Sequence, residues 1–359
     1  MNRKLTALLL ALCILFFVTG FAKQEKIQVV ATTFPLYDWV KNILGDVGSK
    51  VSLTLLEDSG ADLHNFQPTV EDFVKVSSAD LFIYIGGQSD DWAKDAIKEA
   101  KNKEQHALNL MEALDKMAKE AERVEGMEAH DHDHVHEHED ETHADHDHEH
   151  EGENHDHDHE GEAHDEHTHD HEEHDDHNHH HHTDEHIWLS LKNAKVLVAA
   201  IATELSALLP EDAEVIQTNA QSYIEKLDAL DKEYQAVVDR AENKTLLFGD
   251  RFPFRYLMDD YGIKYYAAFS GCSAESEASF ETVAYLSAKM DEESLSCIFT
   301  IDGSTQQVAK AILGASKDSN RPILQLNSMQ TVSKDQIDQG ISYLGIMENN
   351  LLILGEALL

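Results

Sequence analysis

The sequence predicts an α/β protein of two similar lobes, each a mainly parallel sheet flanked by helices, linked by a long rigid spine helix. Short apolar runs alternate with helical patterns over residues 26–101, and the same alternation returns over 245–326. Between the two series lies a stretch of about 30 residues with no Gly or Pro, too long for an ordinary crossover helix. Strands alternating with helices imply a parallel sheet covered on both faces.

Taken in order, Ile27–Ala31 reads as a buried strand, Leu36–Leu44 as an amphipathic helix and Val51–Leu56 as a second strand. Glu71–Ser77 is helical, Leu81–Ile85 a third strand and Trp92–Lys101 another helix. Leu191–Leu208 carries apolar residues at helical spacing, and Pro210 suits the start of the next element. The spine, Glu211–Ala241, would reach on the order of 45 Å at the usual helical rise. The second series sets strands at Thr245–Phe248, Lys264–Phe269, Cys297–Ile301 and Ile323–Leu326. Helices fall at Phe254–Tyr261, Phe280–Met290 and Gln306–Leu313, and Ile337–Leu359 closes the chain as one more. The division that follows is a signal segment 1–22, a first lobe 23–129 and 183–210, an inserted tract 130–182, a spine 211–241 and a second lobe 242–359. In such sheets ligands gather beyond the carboxyl ends of the strands, so the cleft between the lobes is the expected site.

The inserted tract is made of His, Asp and Glu with hardly any apolar residues. Of the 25 histidines in the chain, only His64, His106 and His186 lie outside it. Its acids alone would mark a solvated, disordered spacer, but a spacer has no need of so many imidazoles. Repeats such as His130-Asp131-His132-Asp133-His134 predict a field of ligands for a borderline-soft divalent metal such as zinc. The tract points to metal without pointing to an enzyme.

The formal net charge of -41 argues against nucleic acid and in favour of cations as partners. At the N-terminus, Arg3 and Lys4 precede the apolar run Leu5–Val18 and then Gly20-Phe21-Ala22, a secretory pattern with the mature chain expected near Lys23. An uncleaved anchor is the alternative, while Cys13 after bulky Leu12 is a poor lipoprotein cleavage site. Cys272 and Cys297 would sit at opposite ends of neighbouring parallel strands, beyond the roughly 7 Å limit for a bridge, so free thiols are expected.

Two histidines outside the tract stand where a cleft would be. His64 lies in Gly60-Ala61-Asp62-Leu63-His64-Asn65-Phe66-Gln67-Pro68-Thr69, directly after the second strand, with Pro68-Thr69 and Glu71-Asp72 opening the next helix. His186 lies in Asp184-Glu185-His186-Ile187-Trp188-Leu189-Ser190, where an apolar anchor would bury it beside the folded lobe.

The segments Gly60–Thr69, Ala79–Trp92 and Asp184–Ala194 resemble the solute-binding proteins of zinc and manganese ABC importers, above all the zinc branch with its His-rich loop. The similarity extends over essentially the whole mature chain. It implies a metal held between the lobes by His64 and His186, and a further ligand from the second lobe. The family's usual second-lobe His is missing, since no histidine occurs in 187–359. Measured from the strand, that position falls on Asp250; measured from Asp259-Asp260-Tyr261-Gly262 it falls nearer Arg251, which cannot ligate. Asp250 is the candidate, and it could equally cap a helix or pair with Arg251. Asn327 takes the place of the family's late Asp, and Asp302, Glu275, Glu277 and Cys272 are other candidates at strand ends.

The resemblance implies an extracytoplasmic, monomeric protein, periplasmic or attached to the cell surface, that captures Zn2+ between its lobes and delivers it to an ABC permease. Capture needs neutral imidazoles and is expected to weaken as pH falls towards about 6. The alternatives are a zinc buffer or sensor acting through the tract, or a relative that prefers Mn2+. No His-Glu-x-x-His pair or nucleophile motif supports a metalloenzyme.

Overall fold

A computed structural model of the protein describes residues 26–60, 62–122, 124–127, 183–271 and 277–359. The expected signal segment, the His-rich tract, Cys272 and Glu275 lie outside these residues.

The first lobe is built on β1 (Ile27–Ala31), β2 (Val51–Leu55), β3 (Leu81–Tyr84) and β4 (His106–Asn109), in the order β2-β1-β3-β4. The second is built on β5 (Thr245–Phe252), β6 (Lys264–Ser270), β7 (Ile298–Ile301) and β8 (Ile323–Leu326), in the order β6-β5-β7-β8. Every pairing is parallel, so the two lobes repeat one topology. In each, the strand order reverses beside the first strand of the set, which opens a crevice there at the carboxyl edge.

The helices are α1 (Phe34–Leu44), α2 (Val70–Ser78), α3 (Trp92–Lys98), α4 (Leu110–Leu114), α5 (Leu191–Leu208), α6 (Ala213–Arg240), α7 (Arg255–Tyr261), α8 (Phe280–Glu292), α9 (Gln307–Ala315), α10 (Lys334–Asp338) and α11 (Tyr343–Leu358). The spine is α6, with 28 residues, or about 42 Å at the helical rise. Ile216, Ala220, Tyr223, Leu227, Leu230, Tyr234 and Val238 are its buried stripe, spaced three and four apart. It packs on α1, α5 and α11, and the Tyr234 hydroxyl donates to the Met347 carbonyl at 2.6 Å.

Three departures from the expected elements have physical causes. The strand β4 and helix α4 lie in a segment without an apolar run; β4 forms by pairing with β3 from Leu81↔His106 to Tyr84↔Asn109. The first strand of the second lobe runs on to Phe252 through a bulge that shifts its register between Phe248 and Arg251. The expected C-terminal helix is two helices, because Ser333 opens α10 with a capping box and Ser342 caps α11 afresh.

One apolar cluster runs from Val29 and Trp39 in the first lobe, through Trp188, Leu227 and Tyr234, to Phe254, Phe299 and Leu354 in the second. The lobes therefore share a core. Cys297 is a free, buried thiol whose burial pushes its pKa up to about 11. Among the described residues no helix is long and apolar enough to cross a membrane.

The segment Asp184–Ser190 is wedged into that shared core. Ile187, Trp188 and Leu189 are fully buried. Trp188 Nε1 donates to the Ser328 carbonyl at 2.9 Å, the Tyr343 hydroxyl donates to the Trp188 carbonyl at 2.6 Å, and the Tyr256 hydroxyl donates to the Asp184 carbonyl at 2.9 Å. All three partners belong to the second lobe or its closing helix. Trp188→Ala removes the wedge, and its expected cost is about 3–5 kcal/mol. Urea unfolding should show it as a lower midpoint at an unchanged slope.

Candidate metal centre

His64 is placed by a short turn of 3-10 helix, Leu63–Asn65, in the crossover between β2 and α2. Asp62 caps the turn, its Oδ1 accepting from the His64 backbone N–H at 3.0 Å. The exit is fixed by a reciprocal capping box, in which Thr69 and Asp72 each hold the other's backbone N–H. The half-buried imidazole presents Nδ1 to the Ser89 hydroxyl at 3.0 Å.

His186 is fully buried. Asp184 Oδ1 accepts from its backbone N–H at 2.9 Å and faces its Nδ1 at 2.8 Å. A carboxylate at that position assigns the proton to Nδ1 and the lone pair to Nε2. The ring fits because position 271 is glycine: a Cβ there would stand 2.8 Å from His186 Cε1 and 2.9 Å from the Phe252 carbonyl.

The two Nε2 atoms face one another at 3.1 Å. If Ser89 accepts the Nδ1 proton of His64, both ring nitrogens in the gap are lone pairs, an arrangement that a cation between them relieves. Tetrahedral zinc with Zn–N bonds of about 2.05 Å would set its two nitrogens about 3.3 Å apart. The pair is thus close to the bite that zinc requires.

Among the described side chains of the second lobe, Gln330 makes a hydrogen-bond contact with this pair. It is 4% exposed, and its Nε2 lies 3.0 Å from His186 Nε2. Its Oε1 is buried and has no hydrogen-bond partner among the described residues. A half-turn of the amide, which exchanges its O and N, would turn that oxygen toward the imidazole pair. Asp302 builds the loop beneath it: Oδ1 accepts from the Ser328 backbone N–H at 2.5 Å and hydroxyl at 2.7 Å, and Oδ2 from the Thr331 hydroxyl at 2.6 Å.

The other sequence candidates are disposed differently. Asp250 sits in the β5 bulge, where Oδ1 accepts from the Arg251 N–H at 2.9 Å and Oδ2 from the Ile301 N–H at 3.5 Å. It makes no hydrogen bond to either imidazole, and among the described residues no group of three or more His, Cys, Asp and Glu could hold a metal. The Arg251 guanidinium pairs with Asp62 and not with Asp250, which meets Arg251 only through its backbone N–H. Asn327 is spent on its own turn, Oδ1 accepting from the Met329 N–H at 2.8 Å, and Glu277 is exposed. His106 stands at the start of β4, opposite Leu81, and its Nδ1 meets Glu204 Oε2 at 2.6 Å.

The surroundings are strongly polarised. Burial first, and then the neighbouring His186, hold the His64 pKa down to about 3. Burial pushes Asp90 up to about 7, against the backbone N–H groups of Gly86 and Ile85. For Asp62 burial acts upward, but the Arg251 guanidinium on its Oδ2 prevails and leaves it below the usual carboxylate range. Arg251, from the second lobe, thereby steadies the turn that carries His64. Sequence reading missed Gln330 and Ser89, since an amide and a hydroxyl are uncommon metal ligands; the signal for Gln330 was its place three residues after Asn327.

The sequence model of the family described as ZnuA, zinc-uptake complex component A periplasmic, matches residues 29–357. The zinc-binding lipoprotein AdcA of Streptococcus pneumoniae serotype 4 is 29% identical over 355 residues, which are 98% of this chain and 60% of that protein. This chain therefore spans about three-fifths of that relative's length. The high-affinity zinc uptake system protein ZnuA of Bacillus subtilis is 28% identical over 341 residues, 94% of this chain and 89% of the other. Among solved structures, the Zn(II)-bound ZnuA-like domain of Streptococcus pneumoniae AdcA aligns with a TM-score of 0.64 at 23% identity, covering 93% of this chain and 99% of that one. The metal-dependent lipoprotein YcdH from Bacillus subtilis aligns with a TM-score of 0.66 at 24% identity, covering 93% and 99%. These likenesses establish the two-lobed α/β fold.

The depressed His64 has a thermodynamic consequence in the metal-free protein. Between about pH 6.5 and 3 the unfolded chain protonates this residue and the folded chain does not, so its contribution to stability is lost as pH falls through that window. Urea unfolding at pH 7, 5 and 4 should show this component, and His64→Leu should lack it. Proton competition at His64 itself then sets in well below the pH of about 6 expected from a free imidazole.

Proposed function

Because this chain belongs to the ZnuA family of periplasmic zinc-uptake components, we propose that it captures Zn2+ between its lobes and hands it to an ABC permease. The observation that carries this reading is the pair of opposed Nε2 atoms 3.1 Å apart. Their tautomers are set from behind by Asp184 and Ser89. His64 and His186 are the ligands, and the Gln330 amide oxygen is the second-lobe donor. Asp250, the carboxylate expected there, serves the β5 bulge in its present contacts.

Such a donor set suits a carrier. Two neutral imidazoles and an amide leave the ion's charge uncompensated in its immediate surroundings, and an amide oxygen is not among the usual zinc ligands. Capture rests on a preformed bite, while release is not opposed by a directly bound carboxylate. Imidazole donors bind Zn2+ more tightly than Mn2+, which sets the metal preference. The cargo is taken up outside the cytoplasm, a reading supported by the family description, which calls the component periplasmic, and the N-terminal segment acts as the export signal. The His-rich tract collects zinc in addition to this site.

Deleting residues 130–182 should leave one tight zinc site by calorimetry, and His64→Ala with His186→Ala should abolish it. Gln330→Ala should weaken it by about 10-fold or more, as loss of a supporting group at a metal site does, whereas Asp250→Ala should act mainly on stability. Loss of nearly all binding on deletion of the tract alone would return the function to a buffer.

A further inference from the structure

The residue between Asp184 and His186 has partners of its own. Glu185 is 3% exposed, and its carboxylate enters the loop that follows β3. There Oε1 accepts from the backbone N–H of Gln88 and, at 3.0 Å, from that of Ser89. The preceding N–H groups of the loop, of Ile85 and Gly86, are held at 2.8 and 3.1 Å by Asp90 Oδ2. Two carboxylates thus hold one short loop by its backbone. The fit is built in: Gly87 has φ +78, and a Cβ on it would stand 2.5 Å from Glu185 Oε1. Glu185 Oε2 is buried with no hydrogen-bond partner among the described residues. Burying a carboxylate is costly, and the described hydrogen bonds offset that cost only at this loop.

What the loop presents is the Ser89 hydroxyl, 3.0 Å from His64 Nδ1. A closed circuit results. Asp184 orients His186, His186 faces His64, His64 rests on Ser89, and the Ser89 backbone returns to Glu185. We infer that Glu185 and Ser89 are a positioning pair for metal capture: Glu185 locks the 86–89 loop so that Ser89 holds the His64 imidazole with its Nε2 lone pair toward the metal. Seating the 184–188 segment in the core then delivers one imidazole and aligns the other in the same step. The inference rests on His64 and His186 being the zinc ligands, and it assigns residues to which that reading gives no role.

The test uses the full-length chain, titrated with Zn2+ against a chelator buffer that admits only the tightest site. Tryptophan fluorescence reports it, since the Trp188 ring lies 5.4 Å from that of His186. Ser89→Ala and Glu185→Ala should each weaken binding about 10- to 100-fold, the usual effect of removing an outer hydrogen bond to a metal-binding His. The double variant should be no weaker than the worse single one, because both act through one bond to His64. Glu185→Gln, which keeps an oxygen for the two N–H groups, should restore binding to within about 3-fold of the parent. That rescue separates positioning from a general loss of folding. Wild-type binding by Ser89→Ala, effects that multiply in the double variant, or a Glu185→Gln as weak as Glu185→Ala would each overturn the pair. Unchanged fluorescence-detected binding by His64→Ala with His186→Ala would instead overturn the two-histidine reading beneath it.

Discussion

The segment Asp184–Ser190 is the piece on which the rest depends. It carries a metal-binding candidate, yet its neighbours Ile187, Trp188 and Leu189 are among the most deeply buried residues of the protein. Its backbone and the Trp188 indole are tied to Tyr256, Ser328 and Tyr343, all from the second half of the chain. Nothing can remove this segment without opening the core that the lobes share. The imidazoles anchored in this way are preorganised, and an ion bound in the proposed manner would meet side chains whose conformational entropy was lost on folding.

That anchoring also explains the character of the lobes' junction. Where two lobes meet only through flexible strands, closure around a ligand is the natural motion. Here α6 lies along α1, α5 and α11, and one apolar cluster crosses from Val29 to Leu354. Arg251 adds a charged tie from β5 to Asp62, which caps the turn of His64. Both imidazoles are therefore held by residues of both lobes, and small shifts at the junction would be felt as changes in the bite between them.

How much of this was legible beforehand depends on the range of the forces involved. Strands such as Ile27–Ala31 and Ile323–Leu326, and the helix Leu191–Leu208, were readable to the residue because their apolar periodicity is local. β4 was not, since His106–Asn109 owes its conformation to pairing with β3 and has no apolar run of its own. The bulge at Gly249-Asp250 escaped for the same reason, and with it the fate of Asp250, whose carboxylate is occupied by N–H groups that only the sheet brings near.

By itself the sequence determined the repeated α/β lobes, the spine and a His-rich tract suited to metal, while His64 and His186 stood out as a candidate pair through the resemblance to zinc-importer binding proteins. The lobes, the spine and the tract follow from composition, periodicity and residue chemistry, which need no knowledge of distant neighbours. Only the tertiary structure decided that His64 and His186 face each other through Nε2, that Gln330 joins them, and that Glu185 reaches back to the loop of Ser89. The pairs concerned are separated by about a hundred residues or more along the chain. Their meeting is set by how two sheets pack around one buried segment, and no local pattern encodes that.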